Sequence, residues 1–179
     1  MSRIFLTLSV AGTIFLLIAL VLGLNVGDAK LDRGAVSNHL LVAMGALVFA
    51  LLIHAILLTY FMGTGRWLEE TSKAYKLSPD YAARSSKLKY SSLPLMVGAL
   101  ILLIVTGALG AAADPLGAGF SGGWGLTAAD IHFLTACLAV GVNVVVNIIE
   151  FFAIQQNGLL VKDVLAEVQR IRQEHGLPV

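Results

Sequence analysis

Residues 39–62 read HLLVAMGALVFALLIHAILLTYFM, an uncharged run that begins with one histidine, His39, and contains a second, His54. A helix needs about 20 predominantly apolar residues to cross the hydrocarbon core of a bilayer, and this run is long enough. Ionisable side chains at membrane depth are costly, and they usually face the interior of a bundle. The run therefore predicts a membrane-spanning helix whose histidines face other helices.

Three further apolar runs predict spans at 4–24, 93–113 and 128–154, so the expected fold is an all-α integral membrane four-helix bundle. The composition agrees, because 58% of the residues are hydrophobic and only 13% are charged, which is too apolar for a soluble domain of this size. The first run is longer than the apolar core of a signal peptide, about 7–15 residues, and we interpret it as a retained span.

Two segments outside the spans have helical patterns of their own. Residues 159–179 place apolar residues at spacings of three and four, which predicts a cytoplasmic amphipathic helix and tail following a bundle of residues 1–158. Gly158 is a candidate bend before this helix. The segment 66–90 predicts a short interfacial helix and a loop, and Ser92 and Pro94 are expected to begin the third span, where proline is tolerated.

Lysine and arginine are distributed unequally among the predicted loops. Residues 63–90 carry six of them and residues 159–179 carry three, whereas the two remaining loops carry two in total. Because positively charged loops stay on the cytoplasmic side, both termini are predicted to be cytoplasmic. His39 and His132, which open the second and fourth spans, then lie near the outer face. We expect the inner membrane of a bacterium.

Each outer histidine is followed on its own helix face by alanines, since a helix turns about 100° per residue. The second span presents His39, Ala43, Ala46, Ala50 and His54, and the fourth presents His132, Ala136, Ala139, Asn143, Asn147 and Glu150. Both spans run in the same direction. Small residues at matching depths therefore predict a slot between the helices that is wide enough for a flat macrocycle.

This pattern resembles the haem-bearing helical bundles of membrane b-type cytochromes. The resemblance covers the second and fourth spans and rests on His39, His132 and His54. It implies one haem b near the outer face, with His39 and His132 as axial ligands and with Ala43, Ala46, Ala136 and Ala139 lining the slot. The chain departs from a two-haem pattern at Asn147, since asparagine is not a haem ligand. A second haem would need His54 to pair with a ligand from another subunit.

The lower level of the bundle pairs His54 with Asn147, with Glu150 one turn further inward. One interpretation is structural, with His54 hydrogen-bonded to Asn147 or Glu150. The other is a proton path or a site for a quinone headgroup, because imidazole exchanges protons near neutral pH.

Two functions stay open at this stage. The first is a haem b electron-transfer subunit that links a quinol pool to an acceptor on the outer side, within a larger respiratory or photosynthetic complex. The second is an accessory or assembly subunit without a cofactor. The expected partners are the bilayer, other membrane subunits and a quinone. The net charge of +1 gives no indication of nucleic acid binding. No catalytic triad or phosphate-binding loop indicates a hydrolase, and no internal sequence repeat is recognised.

Overall fold

The computed structural model describes residues 1–114, 116 and 121–178 of the chain. Four helices occur among these residues, and each is long and apolar enough to cross a membrane. This confirms the predicted all-α bundle with four helices that are able to cross a membrane. In chain order the elements are α1 (Ser2–Leu24), α2 (Arg33–Ala74), α3 (Asp80–Ala113), β1 (Gly122–Gly123), β2 (Leu126–Thr127) and α4 (Ala128–Glu174).

Helix α4 begins at a small hairpin that the sequence did not predict. Strands β1 and β2 pair antiparallel, with Gly122 opposite Thr127. The turn residues Trp124 and Gly125 both have positive φ, the geometry that suits a two-residue hairpin. Thr127 then caps α4 in a reciprocal capping box with Asp130. The hairpin therefore fixes where α4 starts, and with it the position of His132 near the beginning of this helix.

The helices pack around a narrow centre. Helix α1 contacts α2 and α4, and α3 contacts the same two helices. Helices α2 and α4 lie diagonally and touch along a short seam, whereas α1 and α3 make no contact in the described part of the chain. Large apolar side chains such as Leu41 and Val48 are exposed on the outside, as expected for a surface that faces lipid. The polar residues of α2 and α4 meet inside this diagonal seam.

The break between the second and third helices is much shorter than the segment 66–90 that the sequence predicted. Helix α2 continues to Ala74 and α3 already begins at Asp80, so the predicted start at Ser92 and Pro94 was wrong. Pro94 lies inside α3. The helix extends this far because its early residues pack against α4, where the buried Ser85 Oγ donates to Asn157 Oδ1 at 2.7 Å.

Helix α4 also continues without a break through Gly158. Leu160 and Val164, on the predicted amphipathic face, are buried, as is Leu68 of α2. Asn157 Nδ2 donates to Thr64 Oγ1 at 2.8 Å and so ties α4 to α2 as well. The predicted C-terminal amphipathic helix is thus continuous with α4, and its apolar face is covered within the chain at Leu160 and Val164, whereas Leu165 is exposed.

The second pair of helices repeats the first. Four buried positions of α3 lie 87 residues after buried positions of α1, and six buried positions of α4 lie 93 residues after buried positions of α2. The first set pairs Phe5 with Ser92, Ser9 with Met96, Gly12 with Ala99 and Leu16 with Leu103. The second pairs Ala46 with Ala139, Ala50 with Asn143, Ile53 with Val146, His54 with Asn147, Leu57 with Glu150 and Phe61 with Ile154.

The interpretation that the chain has no repeat is therefore corrected. The contacts are those of a bundle with an approximate two-fold axis, in which α1 corresponds to α3 and α2 to α4. The repeat is hard to see in the sequence because lipid-facing positions accept any large apolar residue, so only the buried positions match. His39 and His132 also lie 93 residues apart, which makes them equivalent residues on either side of this axis.

Candidate cofactor site

His39 and His132 meet between the helices near one end of the bundle. The ring centroids of His39 and His132 are 6.0 Å apart and the ring planes cross at 70°. A metal ion held between two imidazoles by bonds of about 2 Å places the ring centroids about 6 Å apart. The structure therefore brings the two predicted ligands into direct ring contact.

Both imidazoles are oriented by a backbone carbonyl of the preceding helix. His39 Nδ1 lies 3.0 Å from Ala19 O, and His132 Nδ1 lies 3.0 Å from Thr106 O. A carbonyl oxygen only accepts, so each Nδ1 carries the proton and each Nε2 keeps its lone pair. Metal-binding histidines usually have this arrangement, in which the second ring nitrogen donates to a carboxylate or carbonyl.

Two glycines make room for the rings. A Cβ built at Gly110 of α3 would lie 2.8 Å from His132 Cε1, and one built at Gly23 of α1 would lie 3.0 Å from His39 Cε1. Each glycine lies four residues after the residue whose carbonyl receives the bond. The two helical hairpins, α1–α2 and α3–α4, therefore hold their histidines in the same way. In each, the cradle consists of one carbonyl and one glycine a helical turn apart. Sequence reasoning missed these four positions on α1 and α3.

The alanines below the histidines form two layers. Ala43 and Ala136, one turn or about 6 Å below, are only half-buried. Ala46 and Ala139, about 10 Å below, are fully buried in a cluster with Leu16 and Leu103. The predicted slot can therefore extend only as far as the first alanine layer, because the second layer is filled by packed side chains.

The chemistry of this site is that of a ligand pair. Among residues 1–114, 116 and 121–178, no group of three or more His, Cys, Asp or Glu side chains is placed to hold a metal ion. A bare ion such as zinc takes four ligands at a structural site and three protein ligands at a catalytic one. A haem iron receives four nitrogens from its porphyrin and needs only the two axial positions from protein. Two imidazoles are the number of ligands that a haem iron takes from the protein.

An ion pair lies at the same end of the bundle as the two histidines. Arg33 Nη1 and Nη2 donate to the two carboxylate oxygens of Asp114 at 2.9 and 3.0 Å. The pair joins the start of α2 to the end of α3, and so connects the two hairpins. These bonds, together with the Leu116 amide, hold the pKa of the Asp114 carboxyl below its usual value.

The lower polar level is a buried network. His54 is 1% exposed and Glu150 is 0% exposed, and His54 Nδ1 lies 3.0 Å from Glu150 Oε1. Asn143 Nδ2 makes a long contact of 3.5 Å with His54 Nε2, and Asn147 Nδ2 donates to Asn143 Oδ1 at 3.1 Å. The sequence-based pairing of His54 with Glu150 agrees with this geometry. The direct pairing with Asn147 was wrong, because Asn143 lies between the two side chains.

The network has a defined direction. Since Asn143 donates to His54 Nε2, the proton of a neutral His54 is on Nδ1 and points to Glu150. Each hydrogen bond in the series from Asn147 through Asn143 and His54 is therefore donated in the direction of the Glu150 carboxylate. Two buried acceptors, Asn147 Oδ1 and Glu150 Oε2, have no hydrogen-bond partner among the described residues. The network thus ends in an unused acceptor on both sides.

Comparison of the chain with protein-family models, with curated proteins and with solved structures returned no match.

Proposed function

We propose that this protein is a haem b electron-transfer subunit that carries electrons from a quinol to an acceptor on the outer side of the membrane. The observation that supports this most strongly is the His39–His132 pair, with centroids 6.0 Å apart and each Nδ1 bound to a carbonyl. The bound haem would supply reversible one-electron chemistry at its iron.

The roles of the residues follow from their positions. His39 and His132 would occupy both axial positions, which leaves no position on the iron for oxygen. Ala19 and Thr106 hold the imidazoles in the tautomer that presents Nε2, and Gly23 and Gly110 let the rings lie against α1 and α3. Two ligands from the two hairpins also pull both halves of the bundle together.

The loop charges support an orientation with both termini in the cytoplasm and the histidine pair near the outer face. The proposal includes the cytoplasmic membrane of a bacterium as the location. The extensions of α2, α3 and α4 beyond the predicted spans are then cytoplasmic, where they can contact other subunits of a respiratory or photosynthetic complex.

A second candidate is an accessory or assembly subunit without a cofactor. The observation that favours it is that both imidazoles already have favourable partners within the protein. Each Nδ1 has a carbonyl partner, and the rings meet edge to face, an arrangement that is favourable for aromatic groups. In this function the histidine pair is a packing contact between the two hairpins, and all haem-dependent predictions fail.

The glycine cradle gives a test with a matched control. In Gly110→Ala the new Cβ would lie 2.8 Å from the His132 ring, so the ring must move away from its carbonyl. Disturbing groups that orient a metal ligand typically weakens metal binding by about 10–100-fold, and we expect a loss of haem affinity of this size. Gly107→Ala on the same helix meets nothing within 4 Å and should bind haem like the wild type. Equal affinity of both variants would contradict the cradle.

Electron transfer is tested by mixing the purified, oxidised protein with decylubiquinol under anaerobic conditions. We expect the b-type absorption bands of the reduced protein to develop, because the quinol is the proposed donor. A protein that contains haem and is reduced by dithionite but not by this quinol would contradict the proposed donor. Stopped-flow absorption is the measurement.

A further inference from the structure

Helix α3 carries an excess of positive charge at the end of the bundle opposite the histidine pair. Residues 80–92 contain Arg84, Lys87 and Lys89, and the single acidic residue of α3 is Asp80, at its beginning. Arg84 and Lys87 are exposed. The ion pairs of the described residues include none of these three cations, so their charges are available to a partner.

The corresponding ends of the neighbouring helices are electrically balanced. Beyond the predicted spans, α2 (63–74) and α4 (155–174) each carry as many carboxylates as lysines and arginines. Three of these cations are paired on their own helix, Arg66 with Glu70, Lys73 with Glu69, and Arg170 with Glu167 and Glu174. Among the three helices that extend beyond their spans, the excess of charge is therefore on α3.

The three cations of α3 share the face that is turned away from the bundle. A helix turns about 100° per residue, so Lys87 and Tyr90 lie on the side opposite Ser85, which is buried and bonded to α4. Arg84 lies one turn before Lys87. Lys89 Nζ lies 4.4 Å from the centroid of the Tyr90 ring, and Tyr90 is 60% exposed. The ring therefore draws the third charge towards the same face.

Towards the middle of α3 this face becomes apolar. Val97 and Ile101 continue the line of Lys87 and Tyr90 at helical spacing, and both are exposed. Tyr90 and Lys87 precede Leu93, where the predicted span begins, by rises of about 4 and 9 Å. The headgroup layer of a bilayer is about 5–8 Å thick on each side. Along the helix the face is thus apolar within the hydrocarbon, aromatic at its boundary, and cationic at the headgroups.

We infer that this face of α3 binds an anionic phospholipid, with the phosphate among Arg84, Lys87 and Lys89 and the acyl chains on Val97 and Ile101. Such a lipid has a negatively charged headgroup and apolar chains in the same order as the face. Tyrosine is enriched at the boundary between the two. A free phosphate ion would contact the cations and leave the apolar stripe unused, so the arrangement favours a lipid.

Native mass spectrometry of the full chain, purified in detergent and stripped of lipid, tests this inference. The protein is titrated with phosphatidylglycerol and with phosphatidylcholine that carry identical acyl chains. Each cation should favour the anionic lipid by about fivefold, so the wild type should prefer phosphatidylglycerol by on the order of 100-fold. The measurement needs no haem, and its outcome is therefore independent of the proposed electron-transfer function.

Two triple variants locate the site. The test variant replaces the three cations of α3 by glutamine, a good helix former: Arg84→Gln/Lys87→Gln/Lys89→Gln. The control replaces three cations that are paired with carboxylates: Arg66→Gln/Lys73→Gln/Arg170→Gln. Both remove the same amount of positive charge. The test variant should lose most of the preference for phosphatidylglycerol, and the control should keep it.

Three results would overturn the inference. The first is equal binding of the two lipids by the wild type, which needs no variant to fold. The second is an equal loss of preference in both triple variants, whose helices are checked by circular dichroism. The third is displacement of bound phosphatidylglycerol by inorganic phosphate at constant ionic strength, because the occupant would then be a free phosphate.

Discussion

Replacing His39 or His132 by alanine is expected to leave a folded protein that no longer holds haem. Each histidine would supply one of the two bonds from the protein to the iron. The fold should survive, because each substitution removes one hydrogen bond to a carbonyl, worth about 1 kcal/mol, and one contact between the two rings, worth about 0.5–1.5 kcal/mol. The measurement is haem content per chain, with circular dichroism to confirm the helices.

His175→Ala is the control for these two variants. His175 lies at the exposed end of α4, and its Nδ1 forms a hydrogen bond with Ile171 O of its own helix, so its removal should not change haem content. If the His39→Ala or His132→Ala protein keeps the haem absorption bands of the wild type, the haem has other ligands and the proposed site is wrong.

The second large effect is expected at the buried pair of His54 and Glu150. In His54→Leu the Glu150 carboxyl keeps its buried position but loses its one partner within hydrogen-bond distance among the described residues. Removing one member of a buried pair typically costs about 3–5 kcal/mol. We expect a loss of this size in the free energy of unfolding, measured by denaturant titration in mixed micelles.

The double variant His54→Leu/Glu150→Leu separates the cost of an unpaired carboxyl from the value of the pair. Leucine suits position 150, because the equivalent residue of the first hairpin is Leu57. With both polar groups removed, most of the lost stability should return. A double variant that is no more stable than His54→Leu would contradict this explanation.

The spans were predictable because length and hydropathy alone determine whether a helix crosses a membrane. The meeting of His39 and His132 was also predictable, since equal depth and direction follow from helix geometry. The ends of the helices were not. Ser85, Thr64 and Asn157 are polar residues in what looks like loop sequence, and only their mutual hydrogen bonds show that α2 and α3 continue.

The supporting residues of the site were hidden for a different reason. Gly23 and Gly110 look like the many other glycines of the spans, and a carbonyl oxygen leaves no trace in sequence. The repeat is visible when HLLVAMGA at 39–46 is aligned with HFLTACLA at 132–139. In α1 and α3 the offset is 87 residues instead of 93, and with that offset Gly23 aligns with Gly110 and Ala19 with Thr106.

The most direct test of the central claim is the visible spectrum of the wild-type protein, purified in mild detergent from cells with ample haem. We expect one haem per chain, with sharp b-type bands in the reduced-minus-oxidised difference spectrum and no binding of carbon monoxide, because the two histidines would fill both ligand positions of the iron. A folded and colourless protein would contradict it.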